Sequence, residues 1–463
     1  MIPADVLQGL EAIVGAGRLV LEQGARARLS RDHAHFSPVL RQQLAGCVAD
    51  AVVLPATRAQ LLGIARLCVH HRVPLTARGA GTGNYGQCVP MHGGLVVGLG
   101  DIDKLLAIEG DSARCEPGLR MGKLEESARA AGLEMRFFPS TVATATIGGF
   151  LGGGSAGVGS ITWGTLWDEG NVREVSLLTM EDEPREVVLR GHVEILQAIH
   201  GLGLNGIITE VVMALAPRRE WNQVAVAFPA LGDALALASR LAHDEAVEKR
   251  LVSVTEWPAP SFFAPLAKRG AVREGDALLL LETTLGQSAV EDAARLHHGE
   301  VTLFIPASEY RRGLCLSDFT WNHATLWAMK ADEGWTYIQD GFDEARMGEQ
   351  VAARRARWGE RLVHHVEYLR SGGVVYPQGM SLVRASTMHE IEAFHAHSRE
   401  IGISIGDAHT PWLDHDPRWN GKLLLESKAR WDPHGLLNPG KLRRDGATAP
   451  RMGSLRPEPS HAS

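Results

Sequence analysis

The chain of 463 residues is 45% hydrophobic and 22% charged, and its formal net charge is -7. These values predict a soluble globular protein of more than one domain, and the lack of a basic run argues against a nucleic-acid partner. Five scattered cysteines without a C-x-x-C pair argue against a disulfide framework or a zinc site, and favour the cytoplasm. No signal peptide or apolar membrane span is visible, so we expect no integral membrane segment.

The first predicted elements form a β-α-β unit. "DAVVLPAT" and "VPLTAR" are typical of strands, and "RAQLLGIARLCVHHR" between them has helical periodicity. The second strand runs into "GAGTGNYG", which matches the G-x-G-x-x-G string of dinucleotide-binding folds. A Rossmann fold requires a helix inside that string, whereas Gln87 to Pro90 lead to another glycine pair and a predicted strand at 95–99. We therefore disfavour the Rossmann interpretation, and a plain glycine-rich turn is the other alternative.

The favoured interpretation is a phosphate cradle. Glycines let consecutive backbone N–H groups face a pyrophosphate, because no Cβ blocks the approach and positive φ is allowed. The predicted cradle consists of Arg78, Gly79, Ala80, Gly81, Thr82 and Gly83, with Asn84 adding a side-chain donor.

Two further glycine-rich segments follow along the chain. "FFPSTVATATIGGFLGGGSAGVGSITWGT" contains Pro139 to Thr141 and then Thr146 to Gly149, and its glycines indicate close backbone contact with a flat group. "HGLGLNGIITEVVMALAP" is a turn that leads into a predicted strand at 207–215. Three such segments in this order are much stronger evidence for a cofactor site than one.

These segments, together with "DPHGLLNPGKL" near the end, resemble the FAD-binding module of the vanillyl-alcohol oxidase and para-cresol methylhydroxylase superfamily. The similarity is closest to FAD-linked oxidases of the glycolate oxidase and D-lactate dehydrogenase type. The resemblance implies an α+β fold, in which two subdomains hold FAD under an α+β cap built on an antiparallel sheet. The expected limits are 41–217 for the FAD-binding domain, 218–400 for the cap, 401–443 for a returning C-terminal segment and 445–463 for a disordered tail.

The resemblance also implies roles for individual residues. The pyrophosphate would meet Gly79 to Gly83, and Asn438 and Lys441 would lie near the flavin. The flavin side would meet Ser140, Thr141, Thr146, Gly148 and Gly149, and the adenine half would meet Gly206, Ile207 and Ile208. Covalently flavinylated members commonly have a histidine in the cradle loop, and this chain has none, so we expect non-covalent FAD. "GISIGDAHTPWLDHD" lacks the His-rich motifs of the metal-assisted members, so no metal is expected.

The residues that bind the substrate are expected in the cap. Trp321, Asn322 and Trp327 are candidate substrate residues, because aromatic walls with a few polar groups suit a small-molecule pocket. Ordinary core packing explains these aromatics equally well. His323 and His409 are the candidate general bases, and His409 is slightly favoured because the returning segment is expected near the flavin.

The predicted function is FAD-dependent oxidation of a CH–OH group in a small alcohol or 2-hydroxy acid, with hydride transfer to flavin N5. An oxidase of an aromatic or sugar-like alcohol and a non-catalytic electron-relay subunit are the alternatives. The electron acceptor is left open between oxygen, a quinone and a carrier protein, and a homodimer is one option for the oligomeric state.

Overall fold

The computed structural model describes residues 2–310, 313–413 and 421–443, so the predicted tail at 445–463 lies outside the described residues. The described chain combines helices and sheets, as predicted. Its α-helices are α1 Ala4–Val14, α2 Gln23–Leu29, α3 Pro38–Gln43, α4 Arg58–His71, α5 Met121–Ala130, α6 Ile147–Gly153, α7 Ser160–Trp163, α8 His192–Ile195, α9 Leu231–His243, α10 Ala264–Ala267, α11 Gln287–Leu296, α12 Asn322–Ala331, α13 Met347–Trp358, α14 Met388–Glu400 and α15 Gly421–Trp431.

The strands belong to four sheets. In chain order they are β1 Leu19–Val20, β2 Ala51–Val53, β3 Leu75–Arg78, β4 Leu95–Gly98, β5 Leu105–Glu109, β6 Ser112–Cys115, β7 Leu133–Met135, β8 Val172–Leu178, β9 Glu186–Arg190, β10 Ile207–Pro217, β11 Asn222–Phe228, β12 Lys249–Thr255, β13 Ala277–Thr283, β14 Glu300–Ile305, β15 Trp335–Tyr337, β16 Gln339–Gly341, β17 Leu362–Val363, β18 His365–Ser371, β19 Val374–Gly379, β20 Leu382–Arg384 and β21 Ser404–Gly406.

The first sheet has the order β1-β2-β4-β3, with β2, β4 and β3 parallel. It contains the predicted β-α-β unit, because α4 connects β2 to β3. The Thr57 side chain caps α4 by accepting from the Gln60 backbone N–H, and Arg72 ends the helix in a left-handed conformation. Residues 79–94, all of which are described, contain no helix, so the Rossmann interpretation is wrong.

The second sheet is antiparallel, with the order β5-β6-β10-β8-β9 and β7 paired to β10. Strand β10 lies at its centre and is buried along nearly its whole length. The run "IITEVVMALA" explains this position, because β-branched and apolar residues on both faces suit a covered central strand.

The third sheet has eight antiparallel strands in the order β14-β11-β13-β12-β18-β19-β16-β21. Its interior strand β13, whose sequence is "ALLLLET", is completely buried, and α9 packs against it with an apolar face. A small sheet of order β15-β20-β17 lies beside it. An antiparallel sheet in this part of the chain agrees with the predicted cap.

The ends of the described chain are tied to the first and third sheets. Helix α1 packs on α4, and β1 pairs with β2, so the residues before 41 belong to the folded body. After α14 the chain first adds β21 to the edge of the eight-stranded sheet. It then reaches β3, where the Leu75 backbone pairs with Leu436 and Asn438. The domain limits drawn from the sequence stay a prediction.

Within the described ranges, no helix has both the length and the apolar character needed to cross a membrane.

Candidate active site

A cavity of about 260 Å³ is lined both by the glycine-rich loops and by residues of the eight-stranded sheet. Ten of the lining residues are glycines, namely Gly79, Gly81, Gly83, Gly148, Gly149, Gly152, Gly153, Gly154, Gly203 and Gly206. The three segments that were predicted to contact one cofactor are therefore brought together around one space. A wall without side chains lets a flat or phosphorylated group lie against backbone N–H groups.

The loop after β3 has the geometry expected of a phosphate cradle. Gly81 has a φ of +71°, which residues with a Cβ rarely adopt. A Cβ on Gly79 would lie only 2.2 Å from Thr146 Oγ1, so the first and second glycine-rich segments touch here. A side chain at either position would force the loop to shift. The predicted cradle residues, Arg78, Gly79, Ala80, Gly81, Thr82, Gly83 and Asn84, all line the cavity.

Two predicted residues near the C-terminal end support this loop from behind. The Asn438 amide donates to the carbonyls of Gln87 and Leu202, both at 2.8 Å, and the Lys441 ammonium donates to the carbonyl of Gly86. Burial lowers the pKa of Lys441 to about 8. Neither residue is among those that line the cavity. Their predicted contact with the flavin stays a prediction, and the structure places them one layer away.

The second segment contributes Ser140, Thr141, Thr146, Gly148 and Gly149 to the cavity wall. Thr146 begins α6, because its side chain accepts from the Gly149 N–H at 3.3 Å. This helix is not among the elements predicted from the sequence, and Gly148, Gly149, Gly152 and Gly153 have low helix propensity. The helix forms because Ile147, Phe150 and Leu151 pack into the core.

The third segment divides its residues between the cavity and the core. Gly206 and Ile208 line the cavity, whereas Ile207 is completely buried in β10 and does not. Successive side chains of a strand point to opposite faces, which separates these two neighbouring isoleucines. The predicted contact of Ile207 with FAD stays a prediction, and its side chain points away from the cavity.

On the opposite wall, Trp321, Asn322 and His323 line the cavity at the start of α12. Trp321 has a φ of +52°, an uncommon conformation for a tryptophan. Trp327, which was predicted to contact substrate, is not a lining residue. Its ring stacks on Phe319 with centroids 5.6 Å apart, and its indole N–H donates to the Asp318 carbonyl at 2.8 Å.

The two candidate bases lie in different surroundings. His323 lines the cavity, and burial, with smaller effects from His33 and Lys330, lowers its pKa to about 4. His409 is completely buried and is not a lining residue. Its Nδ1 lies 2.8 Å from Ser37 Oγ and its Nε2 lies 2.7 Å from the Tyr337 carbonyl, so both ring nitrogens have protein partners. An imidazole held in this way has no nitrogen left to accept a substrate proton.

Several lining residues were not predicted from the sequence. They come from separate parts of the chain and include His33, Phe36, Tyr85, Trp167, His200, Gln339, Gln378, Met380, Asp407 and Trp412. Tyr85 was detectable, because it lies inside the "GTGNYG" string. His200, Asp407 and Trp412 lie within other stretches quoted above, whereas the remaining residues follow no local motif and are brought to the cavity by the fold.

Hydrogen bonds connect the loop after β3 directly to β15 and β16, which lie in the part of the chain predicted to be the cap. The Asn84 amide donates to the Tyr337 hydroxyl at 2.6 Å, and the Gln339 amide donates to the Tyr85 hydroxyl. The side-chain donor that was predicted to face the cofactor therefore contacts the cap. We refer to these two bonds as the loop–cap hydrogen bonds.

In the described residues, no three His, Cys, Asp or Glu side chains lie close enough together to hold a metal ion. The expectation of a metal-free site stays a prediction.

The sequence of residues 49–186 matches the protein family described as "FAD binding domain". Over 427 residues, which are 85% of this chain and 88% of the relative, it is 23% identical to "Glycolate oxidase subunit GlcD" of Bacillus subtilis. Over 266 residues, which are 53% of this chain and 56% of the relative, it is 26% identical to "D-lactate dehydrogenase" of Archaeoglobus fulgidus.

Solved structures of alkyldihydroxyacetonephosphate synthase have the same fold. One of them aligns with a TM-score of 0.71 over 96% of this chain and 86% of that chain, at 16% sequence identity. Together with the sequence matches, this similarity confirms the resemblance to the FAD-linked oxidases. FAD is the cofactor, and the glycine-rich walls of the cavity fit it.

Proposed function

We propose that this FAD-dependent oxidoreductase oxidises the CH–OH group of a small 2-hydroxy acid or alcohol, with transfer of a hydride to flavin N5. Similarity to proteins named glycolate oxidase subunit and D-lactate dehydrogenase supports a 2-hydroxy acid. The observation that carries the proposal is one cavity, in which glycine-rich loops and the half-buried His323 line the same space. FAD, when bound, supplies the hydride acceptor, and the chain supplies binding, orientation and proton transfer.

The proposed FAD site uses residues 41–217 together with the returning segment at 401–443, and residues 218–400 form the cap over the substrate. The separate second and third sheets, which are built from residues 105–217 and mainly from residues 222–379, support the boundary near residue 217. We propose that FAD is held without a covalent bond, since the cradle loop contains neither histidine nor cysteine at 79–84. Acid precipitation of the holoenzyme should then release all of the yellow colour into the supernatant.

His323 is the proposed general base. Its lowered pKa keeps the imidazole neutral at neutral pH, so a ring nitrogen can accept the hydroxyl proton while the substrate carbon loses a hydride. His409, favoured from the sequence, is the weaker candidate because Ser37 and Tyr337 occupy both of its nitrogens. We propose that His409 instead joins the returning segment to α3 and β15.

One observation favours a neutral aromatic alcohol as the second candidate substrate. Among the described residues that line the cavity, Arg78 alone is a lysine or arginine, and the Arg31 carbonyl already accepts from it at 2.5 Å. A carboxylate usually pairs with a cation that its site dedicates to it. The aromatic lining residues Phe36, Tyr85, Trp167, Trp321 and Trp412 suit an aromatic ring.

Anaerobic reduction of the bound flavin tests the proposal. The purified holoenzyme is mixed with a panel of D- and L-2-hydroxy acids and a matched panel of neutral aromatic and aliphatic alcohols, and bleaching is followed in the visible range. Bleaching by a hydroxy acid supports the first substrate class, and bleaching by aromatic alcohols alone supports the second. A flavin that no compound reduces, but that a chemical reductant does, would favour the electron-relay alternative.

A further inference from the structure

A buried carboxylate lies next to the segment that carries His323. Glu367 is on β18, and neither it nor its neighbour His365 is exposed to solvent. Its Oε1 accepts from the Trp321 backbone N–H at 2.7 Å and from Ser253 Oγ at 3.0 Å. His365 Nε2 lies 3.0 Å from the same oxygen. One carboxylate oxygen therefore contacts residues from three parts of the chain.

The strand pairing places Glu367 on the side of the sheet that faces the cavity. In the register of the sheet, Glu367 lies opposite Ser253 on β12 and opposite Gln378 on β19. Residues directly opposite each other in an antiparallel pair share a face. Gln378 lines the cavity, so Glu367 lies directly beside a cavity-lining side chain.

The contact with Trp321 occurs where the backbone has its least favourable conformation. Trp321 has a φ of +52° and immediately precedes α12, whose first two residues are Asn322 and His323. Such a conformation persists only where surrounding contacts fix it. The hydrogen bond from the Trp321 N–H to a buried carboxylate is a strong contact of this kind. Releasing it would let the peptide rotate and move the first turn of α12.

We propose that Glu367 is a positioning residue for His323. It acts through the Trp321 backbone, and it holds the start of α12 so that the His323 ring faces the cavity. This inference rests on the proposed function, because it takes His323 as the base. It predicts that the position of one acceptor oxygen matters more than the negative charge.

Two substitutions distinguish the effect of the position of the acceptor oxygen from the effect of the negative charge. Glu367→Gln keeps an oxygen in the place of Oε1 and removes the charge, whereas Glu367→Asp keeps the charge and withdraws the oxygen by one carbon. We expect Glu367→Gln to reduce bound flavin within about threefold of the wild-type rate, and Glu367→Asp to be roughly 10- to 100-fold slower, as for a lost hydrogen bond to a charged group. Both variants should retain stoichiometric FAD.

A double-mutant cycle with His323→Ala tests whether the effect passes through the base. If it does, Glu367→Asp should slow the His323→Ala variant by less than about threefold, because the two changes remove one function. A purely structural role would give effects that multiply and a lowered melting temperature in both backgrounds. Multiplying effects, or a Glu367→Asp rate equal to wild type, would overturn the inference.

The cycle also separates this inference from the proposed function. If His323→Ala alone leaves the rate unchanged, the assignment of the base fails, whatever Glu367 does. Crystal structures of the two Glu367 variants give a readout that does not depend on activity. We expect the Trp321 φ to stay positive in Glu367→Gln and to become negative in Glu367→Asp. A positive φ in both would contradict the positioning role.

Discussion

The two walls of the cavity are built on different principles. The glycine-rich wall consists mainly of backbone, supplied by segments that are each continuous in the sequence. The opposite wall consists of side chains such as His33, Trp321, Gln378 and Trp412, which are far apart in the chain. A backbone wall tolerates few substitutions, because an added Cβ at Gly79, Gly81 or Gly83 would lie 2.1–2.3 Å from other protein atoms. A side-chain wall can change one residue at a time. The contrast therefore predicts that the backbone wall sets the specificity for the cofactor and that the side-chain wall sets the specificity for the substrate.

Glycine 81 provides the strongest test of the backbone wall. In Gly81→Val a β-branched residue must adopt a φ near +71°, and its Cβ would lie 2.1 Å from the Arg78 guanidinium. We expect the purified variant to contain no stoichiometric FAD, which its visible spectrum measures. Gly110→Val is the matched control, since Gly110 has a φ of +57° but no neighbour within 4 Å. Full FAD content in folded Gly81→Val would show that this loop is not the cradle.

Histidine 323 tests the side-chain wall. His323→Ala should retain FAD but slow anaerobic flavin reduction by about 100- to 10,000-fold, the usual contribution of a general base. His409→Ala should lower the melting temperature, because Ser37 and Tyr337 lose a buried partner, with a far smaller effect on the rate. A large rate loss in His409→Ala with an unchanged melting temperature would reverse the two assignments.

The pH dependence of the rate of flavin reduction also tests the assignment of His323 as the general base. The pKa of His323 is lowered to about 4, so the neutral form that accepts a proton persists well below neutral pH. We expect the rate constant to be flat from pH 8 to near pH 5, and to fall about tenfold per pH unit below the pKa. A neutral alcohol should serve as substrate, so that its own ionisation does not enter the profile. A fall centred near pH 6.5 would point to a more exposed histidine.

Lysine 441 tests whether the layer behind the backbone wall touches the cofactor. Lys441→Met keeps most of the apolar stem but loses the bond to the Gly86 carbonyl. We expect FAD to bind about tenfold more weakly, as for one hydrogen bond from a charged donor, while the reductive rate of the loaded enzyme is unchanged. Titration of the apoprotein with FAD measures the first quantity, and exposed Lys123→Met is the control. A large change in the reductive rate would instead place Lys441 at the flavin, as the resemblance implied.

Tryptophan 327 should give the smallest effect. In Trp327→Phe the ring can still stack on Phe319, and only the bond to the Asp318 carbonyl is lost. We expect less than about a twofold change in KM, whereas Trp321→Phe in the cavity wall should change KM by roughly tenfold. Equal effects of the two substitutions would show that Trp327 contributes to substrate binding after all.

Most residues of the glycine-rich wall were predicted from the sequence to lie around one space, because their signals are local. Positive φ and close approach select glycine at particular positions, and the strands that flank the first loop have their own hydrophobic pattern. Helix α6 was missed for the opposite reason, since its glycines disfavour a helix that tertiary packing of Phe150 and Leu151 stabilises. Propensity is a weak guide where core packing decides.

The side-chain wall was predicted only in part. Trp321, Asn322 and His323 were identified by composition, but nothing in the sequence distinguished Trp321 from Trp327 or His323 from His409. These pairs differ in what they contact: Phe319 receives the ring of Trp327, and Ser37 binds His409 across 372 residues of chain. Gln378 could not be identified, because it lines the cavity only through the register of the sheet.

The loop–cap hydrogen bonds have a consequence for how the protein folds. Asn84 and Tyr337 are 253 residues apart, and Thr76 and Asn438, which contact each other beneath the loop, are 362 apart. Contacts of such long sequence separation form late, because the entropy of closing the intervening chain opposes them. On the ribosome the cradle loop is synthesised long before its partners emerge. Assembly of the proposed cradle therefore waits until Asn438 has been synthesised.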